Sequence, residues 1–241
     1  MKGIILAAGK GTRLRPWTNT TPKPLLELGG KPILSYILEG FSSAGVDDLH
    51  LVVGYLGGQV KDYYGDSFGG MKITYYEQKE QLGTAHALLL AEESLKGGTF
   101  MMSWGDILCE QENYPALRGF HESNCFKATI TLNEVDDPYA GAAVYVKDGR
   151  VERIIEKPPK GVSTTKWNNR GIFMFEPVIF DEVHSLEISP RGEYELPQAI
   201  GKMIEKGIPV GGMPIAGFNS DIGTIEEFHE YEDYLKKKTA G

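Results

Sequence analysis

The stretch LAAGKGTRLRP at 6–16 sets Gly9 and Gly11 beside Arg13 and Arg15, directly after a short apolar run. Glycines let the backbone approach a ligand and leave a row of N–H donors exposed, while guanidinium groups add fixed positive forks. Together they suit a chain of phosphates. Two other glycine loops do not fit. The dinucleotide fingerprint needs a glycine at position 14, where Leu14 stands, and a helix opening at once. A Walker A loop needs Gly-Lys followed by Ser or Thr, and that tripeptide occurs nowhere in the chain. The plainer alternative is a glycine-rich turn with solvated arginines.

Four more residues have types suited to phosphate chemistry. Asp106 follows FMMSWG, at the end of an apolar run and behind a glycine that admits a ligand. Asp221, in NSDIGT, is a second acid beside a glycine. Two such carboxylates can hold Mg²⁺ while phosphates and water complete its octahedron; each could equally be a cap or turn aspartate. Lys23 lies between Pro22 and Pro24, and Lys157 precedes Pro158 and Pro159, so each cation is held on stiffened backbone; each could equally be a surface lysine beside prolines. Gln78 stands at a strand end, where its amide could read a base edge through a paired donor and acceptor; a solvated loop glutamine fits equally well. In QLGTAHAL, a glycine turn opens a helix that Thr84 is placed to cap, and His86 has no acid at a spacing that would orient it.

The elements that must position these groups alternate. Apolar runs at 4–6, 49–53, 73–76 and 100–103 read as strands, and 33–44, 59–64 and 84–95 as helices. That alternation predicts an α/β fold with a mostly parallel sheet covered on both faces, with ligands outside the carboxyl ends of the strands. Beyond 124 the pattern changes. Strands are expected at 128–133, 142–147 and 151–156, with Asp148-Gly149 as a hairpin turn, and helices at 177–184, 195–206 and 225–237. No linker divides the chain, so a single domain over 1–241 is expected, with the change of pattern marking two halves near 1–125 and 126–241.

Composition limits the partners. A net charge of −8 argues against a general nucleic-acid or anionic-membrane binder, so the basic cluster near the start, if it serves a ligand, serves a small anion. Cys109 and Cys125 are the only cysteines, too few for a disulfide framework or a cysteine zinc site, which points to a reducing, cytoplasmic compartment. The first apolar run reads as a strand rather than a targeting segment, and no stretch approaches a membrane span.

These signals occur in one order: LAAGKGTRLRPWT, PKPLL, GKPIL, EQ…LGTAHAL, Gly105-Asp106, EKP at 156–158 and DIGT at 221–224. The chain resembles the sugar-1-phosphate nucleotidylyltransferases over nearly its whole length. The resemblance implies a Rossmann-like three-layer α/β/α sandwich with a small sugar-binding β lobe, its half near 1–125 binding the nucleotide and its half near 126–241 the sugar phosphate. It implies that Leu6, Ala8, Gly9, Gly11, Thr12 and Arg13 bind the triphosphate, with Lys23 on its phosphates. Gln78, Gly83 and Thr84 would contact the nucleotide, and Asp106 and Asp221 would ligate Mg²⁺. Gly141, Glu156, Lys157 and Asn169 would serve the sugar phosphate. Three positions depart from the family pattern: Ala8 replaces a common glycine, Arg170 stands where Ala or Thr is usual, and an aromatic near the DIGT aspartate is displaced to Phe218.

The implied reaction brings a nucleoside triphosphate and a sugar 1-phosphate together with Mg²⁺, releasing pyrophosphate. Arg13, Lys23 and Lys157 would offset the charge on the reactants. Glucose 1-phosphate with UTP or dTTP is the favoured pair. Mannose 1-phosphate with GTP and a noncatalytic nucleotide-sugar module remain the alternatives. The resemblance also allows a homo-oligomer. It further implies no second, acetyltransferase activity, because no β-helix follows the final helix.

Overall fold

The computed structural model describes residues 1–240, with side chains as far as Lys238. The elements run β1 (Lys2–Ala7), β2 (Glu27–Leu28), β3 (Lys31–Pro32), α1 (Ile33–Ser43), β4 (Asp48–Val53), α2 (Gly57–Tyr64), β5 (Ser67–Phe68) and β6 (Met71–Glu77). They continue with α3 (Thr84–Leu89), α4 (Glu92–Leu95), β7 (Phe100–Trp104), β8 (Ile107–Cys109), α5 (Asn113–Ser123), β9 (Ala128–Glu134), β10 (Ala142–Lys147) and β11 (Arg150–Glu156). The last are β12 (Trp167–Phe175), α6 (Ile179–His184), α7 (Leu196–Glu205), β13 (Val210–Pro214), β14 (Asn219–Asp221) and α8 (Ile225–Ala240).

These elements cluster into two compact units, each discontinuous in sequence. The first takes Met1–Gln81, Ser103–Pro115 and the chain from Ala216 onward. There β1 is parallel to β4 and β4 to β6, the two-residue β5 runs antiparallel beside β6, and the short pairs β2–β3 and β8–β14 are antiparallel as well. The near-continuous apolar run of β1, Ile4–Ile5–Leu6–Ala7, is buried because a parallel strand is covered on both faces. In α1, Ile33, Leu34, Ile37, Leu38 and Phe41 form the single apolar stripe that a helix of period 3.6 turns toward a core.

The second unit takes Leu82–Met102 and Ala116–Ile215. Here β9 pairs antiparallel with β12 and parallel with β13, β11 is antiparallel to both β13 and β10, and β10 also touches β12 antiparallel. The β10–β11 hairpin closes through Asp148 and Gly149, both at positive φ as a tight two-residue turn demands. The expectation of a mostly parallel sheet is therefore corrected. The strands are mixed, because the second half connects neighbours by hairpins and long returns rather than by helical crossovers. The helix expected over 84–95 is two pieces, α3 and α4, interrupted at Leu90 and Ala91. No helix among the described residues is long and apolar enough to cross a membrane.

Candidate active site

In the first unit the glycine loop leaves β1 through Ala8, which is buried. Its carbonyl accepts the Tyr55 N–H at 3.4 Å and the Gln81 side-chain amide at 3.3 Å. A Cβ on Gly54 would stand 2.6 Å from that carbonyl oxygen and 3.0 Å from the Ala8 methyl. Gly54 thus supplies the room that lets alanine occupy position 8. Gly9 has open space around it, so no protein atom requires glycine there. Gly11 does have a local reason, since its φ is +60° and a Cβ would approach Thr18 at 3.0 Å and Lys23 at 3.3 Å. Its carbonyl accepts the buried Thr18 hydroxyl at 2.8 Å, and the chain then turns through a short 3-10 segment, Thr12–Leu14. Thr12 and Arg13 are exposed on it.

Two contacts fix the far side of this loop. The Arg13 guanidinium lies over Gly223, where a Cβ would come within 2.6 Å of its terminal nitrogen. Trp17 packs on Phe228 of α8 with ring centroids 5.1 Å apart. The start of α8 is held by Glu227, whose carboxylate takes the Gly223 N–H at 2.9 Å and the Thr224 hydroxyl at 3.0 Å, while the Thr224 oxygen accepts the Glu227 N–H at 3.2 Å. This is a capping box shifted by one residue.

The acids come together through backbone pairing. At the turn after β7, the Gly105 N–H donates to the Leu6 carbonyl at 2.8 Å, and a Cβ on Gly105 would stand 2.8 Å from that of Ala7. Only glycine lets Asp106 follow so close to β1. The short strands β8 and β14 then pair antiparallel with Asp221 opposite Ile107, and the Ile222 N–H donates to the Asp106 carbonyl at 2.9 Å. Residues 115 positions apart in sequence thereby become backbone neighbours (221 − 106 = 115). Lys23, with 12% of its side chain exposed, places Nζ 2.6 Å from Oδ2 of Asp106. Gln78 extends β6, donates its N–H to Val53 at 2.8 Å and is buried. Phe218, the displaced aromatic, stacks on Tyr234 with centroids 4.5 Å apart.

The donor set suits magnesium. That ion is held by one or two carboxylates and keeps water or phosphate in its remaining positions. Two aspartates on paired backbone segments match such a site. Among the described residues no group of three or more His, Cys, Asp or Glu forms an all-protein metal cage.

The second unit gathers a different set. The Lys157 N–H donates to the Gly141 carbonyl at 2.7 Å, and Ala142 pairs with Glu156, so Gly141, Glu156 and Lys157 sit together at the end of the β10–β11 ladder. A side chain on Gly141 would collide with the Asn168 side-chain oxygen. Lys157 is exposed, with φ at +43°. A left-handed residue before proline is doubly disfavoured, and such strain persists where a side chain must be aimed. Asn169 is buried. Its Oδ1 accepts the Gly171 N–H at 3.1 Å, which fixes the amide orientation, and its Nδ2 has no hydrogen-bond partner.

Gly83 and Thr84 also lie in this unit. Gly83 has φ +100°, and a Cβ there would come 2.8 Å from the Tyr194 nitrogen. The expectation that Thr84 caps α3 is corrected: that helix has no side-chain cap. The Thr84 hydroxyl accepts the Leu196 N–H at 3.0 Å, serving the start of α7 instead.

Sequence reasoning missed a further group. Arg191 donates to Glu156 Oε1 at 3.1 Å and to Glu195 Oε1 at 2.7 Å. Burial pushes the Glu156 carboxyl above the usual range, and the guanidinium draws it partway back. Glu156, Lys157, Ser189, Arg191, Glu195 and Gln198 line a groove of about 540 Å³. Nothing periodic marks SPRGEYE, so only the fold reveals the partnership.

A family model described as nucleotidyl transferase matches residues 2–238. The UTP–glucose-1-phosphate uridylyltransferase AglF of Haloferax volcanii is 36% identical over 242 residues, covering 99% of this chain and 98% of that protein. A glucose-1-phosphate thymidylyltransferase of Streptomyces antibioticus is 38% identical over 95% of this chain, which spans 65% of that longer protein. A crystal structure of UDP-glucose pyrophosphorylase complexed with UDP-glucose superposes with a TM-score of 0.89 over 98% of both chains; at 21% identity this shows a shared fold.

Proposed function

Since the chain belongs to the nucleotidyl transferase family, we propose that it transfers a uridylyl or thymidylyl group to glucose 1-phosphate with release of pyrophosphate. The reaction class, nucleotidyl transfer to a sugar 1-phosphate, is that of its relatives over nearly all of its length. The choice of glucose with UTP or dTTP rests on the names those relatives carry. The observation that carries the chemistry is the Lys23–Asp106 contact beside the paired Asp221 strand, at the foot of a glycine loop bearing Arg13.

A phosphate oxygen of the sugar 1-phosphate attacks the α-phosphorus in line. The new P–O bond forms as the α–β bridging bond breaks, and both electrons leave with pyrophosphate. The attacking phosphate is already ionised at neutral pH, so no side chain need remove a proton, and catalysis falls to positioning and charge. Leu6, Ala8, Gly9, Gly11 and Thr12 bring backbone and N–H donors to the triphosphate, and Arg13 and Lys23 offset its charge. Gln78, Gly83 and Thr84 would serve the nucleoside. Lys157 neutralises the attacking phosphate, Glu156 accepts sugar hydroxyls, Asn169 offers its unused amide hydrogens, and Gly141 leaves room for the ring. Asp106 and Asp221 would hold Mg²⁺, which when bound supplies positive charge to the phosphate oxygens.

Pyrophosphate release measured with ATP, CTP, GTP, UTP and dTTP against glucose, galactose, mannose and N-acetylglucosamine 1-phosphates, with Mg²⁺, tests this reading. The expected result is the highest kcat/KM for glucose 1-phosphate with UTP or dTTP. Preference for GTP with mannose 1-phosphate would replace the substrate assignment. No release from any pair would overturn the reaction.

A further inference from the structure

The groups that face Glu156 in its groove form a chain of support. Glu195 is nearly buried, with 7% of its side chain exposed, and its Oε1 accepts two hydrogen bonds and closes an ion pair. Arg191 Nε and the Ser189 hydroxyl each donate to it at 2.7 Å, and Arg191 Nη2 stands 2.7 Å away in the ion pair. The Ser189 oxygen in turn accepts the Arg191 N–H at 3.3 Å. Gln198 Nε2 donates to the other Glu195 oxygen at 3.4 Å. The Arg191 side chain is thus gripped along one edge, and the same Nη2 that touches Glu195 reaches Glu156 at 3.1 Å. A guanidinium left loose would sample many rotamers, because long charged side chains lose much freedom on ordering. Charge-assisted bonds to a buried carboxylate remove that freedom before any ligand arrives.

We infer that Glu195, buttressed by Ser189, is a positioning residue for sugar recognition: it fixes the Arg191 guanidinium and, through it, the Glu156 carboxylate. The inference rests on the proposed function, because Glu156 is there the acceptor of sugar hydroxyls. Neither Glu195 nor Ser189 touches the reacting atoms. Their effect should therefore fall on how well the sugar 1-phosphate binds and not on the nucleotide or the chemical step. A purely structural role would lower stability and all kinetic constants together.

Glu195→Gln and Ser189→Ala are compared with the wild type in Mg²⁺-dependent pyrophosphate release, alongside thermal melting and the NMR signal of the Arg191 Nε–H. Glu195→Gln keeps an acceptor but removes the charge. It is expected to raise the KM for glucose 1-phosphate about tenfold, with kcat and the KM for UTP within about twofold, and to weaken the protected Nε–H signal. Ser189→Ala, the gentler change, should move the same constant in the same direction by about threefold; it carries the test if the first variant does not fold. Active variants with an unchanged KM for the sugar 1-phosphate would overturn the positioning role while leaving the function intact. A wild type inert toward every sugar 1-phosphate would overturn the function itself.

Discussion

At the scale of single residues, two carboxylates do opposite work. Asp106 is engaged by the Lys23 ammonium at 2.6 Å and lies beside the backbone of Asp221, so its charge is held for cationic partners. Asp106→Asn removes one of the two proposed metal carboxylates at little change in volume. The expected loss in kcat is about 10³-fold at saturating Mg²⁺, with the melting temperature retained, as read by pyrophosphate release and a thermal scan. Glu156 instead sits where burial resists ionisation, which the neighbouring Arg191 partly relieves. Lys157, Glu195, Lys202 and Glu205 are the other charged groups lining its groove. Its proton therefore arrives at higher pH than on an exposed glutamate. As pH falls, the KM for glucose 1-phosphate should begin to rise above the ordinary carboxylate range, and Glu156→Gln should abolish that part of the profile. The substrate's own phosphate, titrating near a pKa of about 6, should remain visible in both proteins. The stability consequence has the opposite sense. Because the folded state holds this proton more tightly than the unfolded chain, the contribution of Glu156 is fully present below the unfolded pKa and is lost as pH rises through the folded one.

At the scale of elements, the glycines separate what the fold needs from what a ligand would need. Gly83 carries φ +100° and lies against the Tyr194 backbone, so Gly83→Ala combines backbone strain with a clash that no flexible side chain can relieve. It should destabilise by about 3 kcal/mol, lowering Tm by roughly 6–12 °C in a chain of this size. Gly9 meets nothing within 4 Å, so Gly9→Ala should leave the melting curve almost unmoved. If the loop cradles phosphates, the same methyl should raise the KM for UTP about tenfold by keeping the backbone away. This contrast bears on what could be read in advance. The glycine loop, Lys23, Asp106 and Asp221 stood out because their residue types announce phosphate and metal chemistry. The long strands and amphipathic helices were legible by periodicity. The three-residue strands β8 and β14 were not, since a pattern of three has no period, yet they make Asp106 and Asp221 neighbours. Helix α5 was hidden by Pro115 and Gly119; Pro115 falls in its first turn, where no N–H is required. The Thr224-x-x-Glu227 box at the start of α8 was a readable signal that went unused. Arg191 and Glu195 carried none, because their meaning lies in contacts formed only after folding.

At the scale of the whole molecule, an acidic chain must bind two anions. With a net charge of −8, the general field repels both substrates, and attraction must come from the few cations set in the glycine loop and at the β11 end. On the proposed function, Arg13, Lys23 and Lys157 do not balance a triphosphate and a sugar phosphate by themselves, and a divalent cation on Asp106 and Asp221 would supply the remaining charge. Nucleotide binding and Mg²⁺ binding should then be strongly coupled. With UTP at about 100 times its Kd in the presence of Mg²⁺, linkage predicts about 2.7 kcal/mol of added stability, or roughly 5–11 °C in Tm. EDTA should remove most of that shift. Without nucleotide, EDTA alone should leave Tm almost unchanged, because two carboxylates, one of them paired with Lys23, do not form a closed cage whose loss would unfold the chain. A full UTP-induced shift in EDTA would mean that the protein's own cations suffice and that Asp106 and Asp221 serve the backbone rather than a metal.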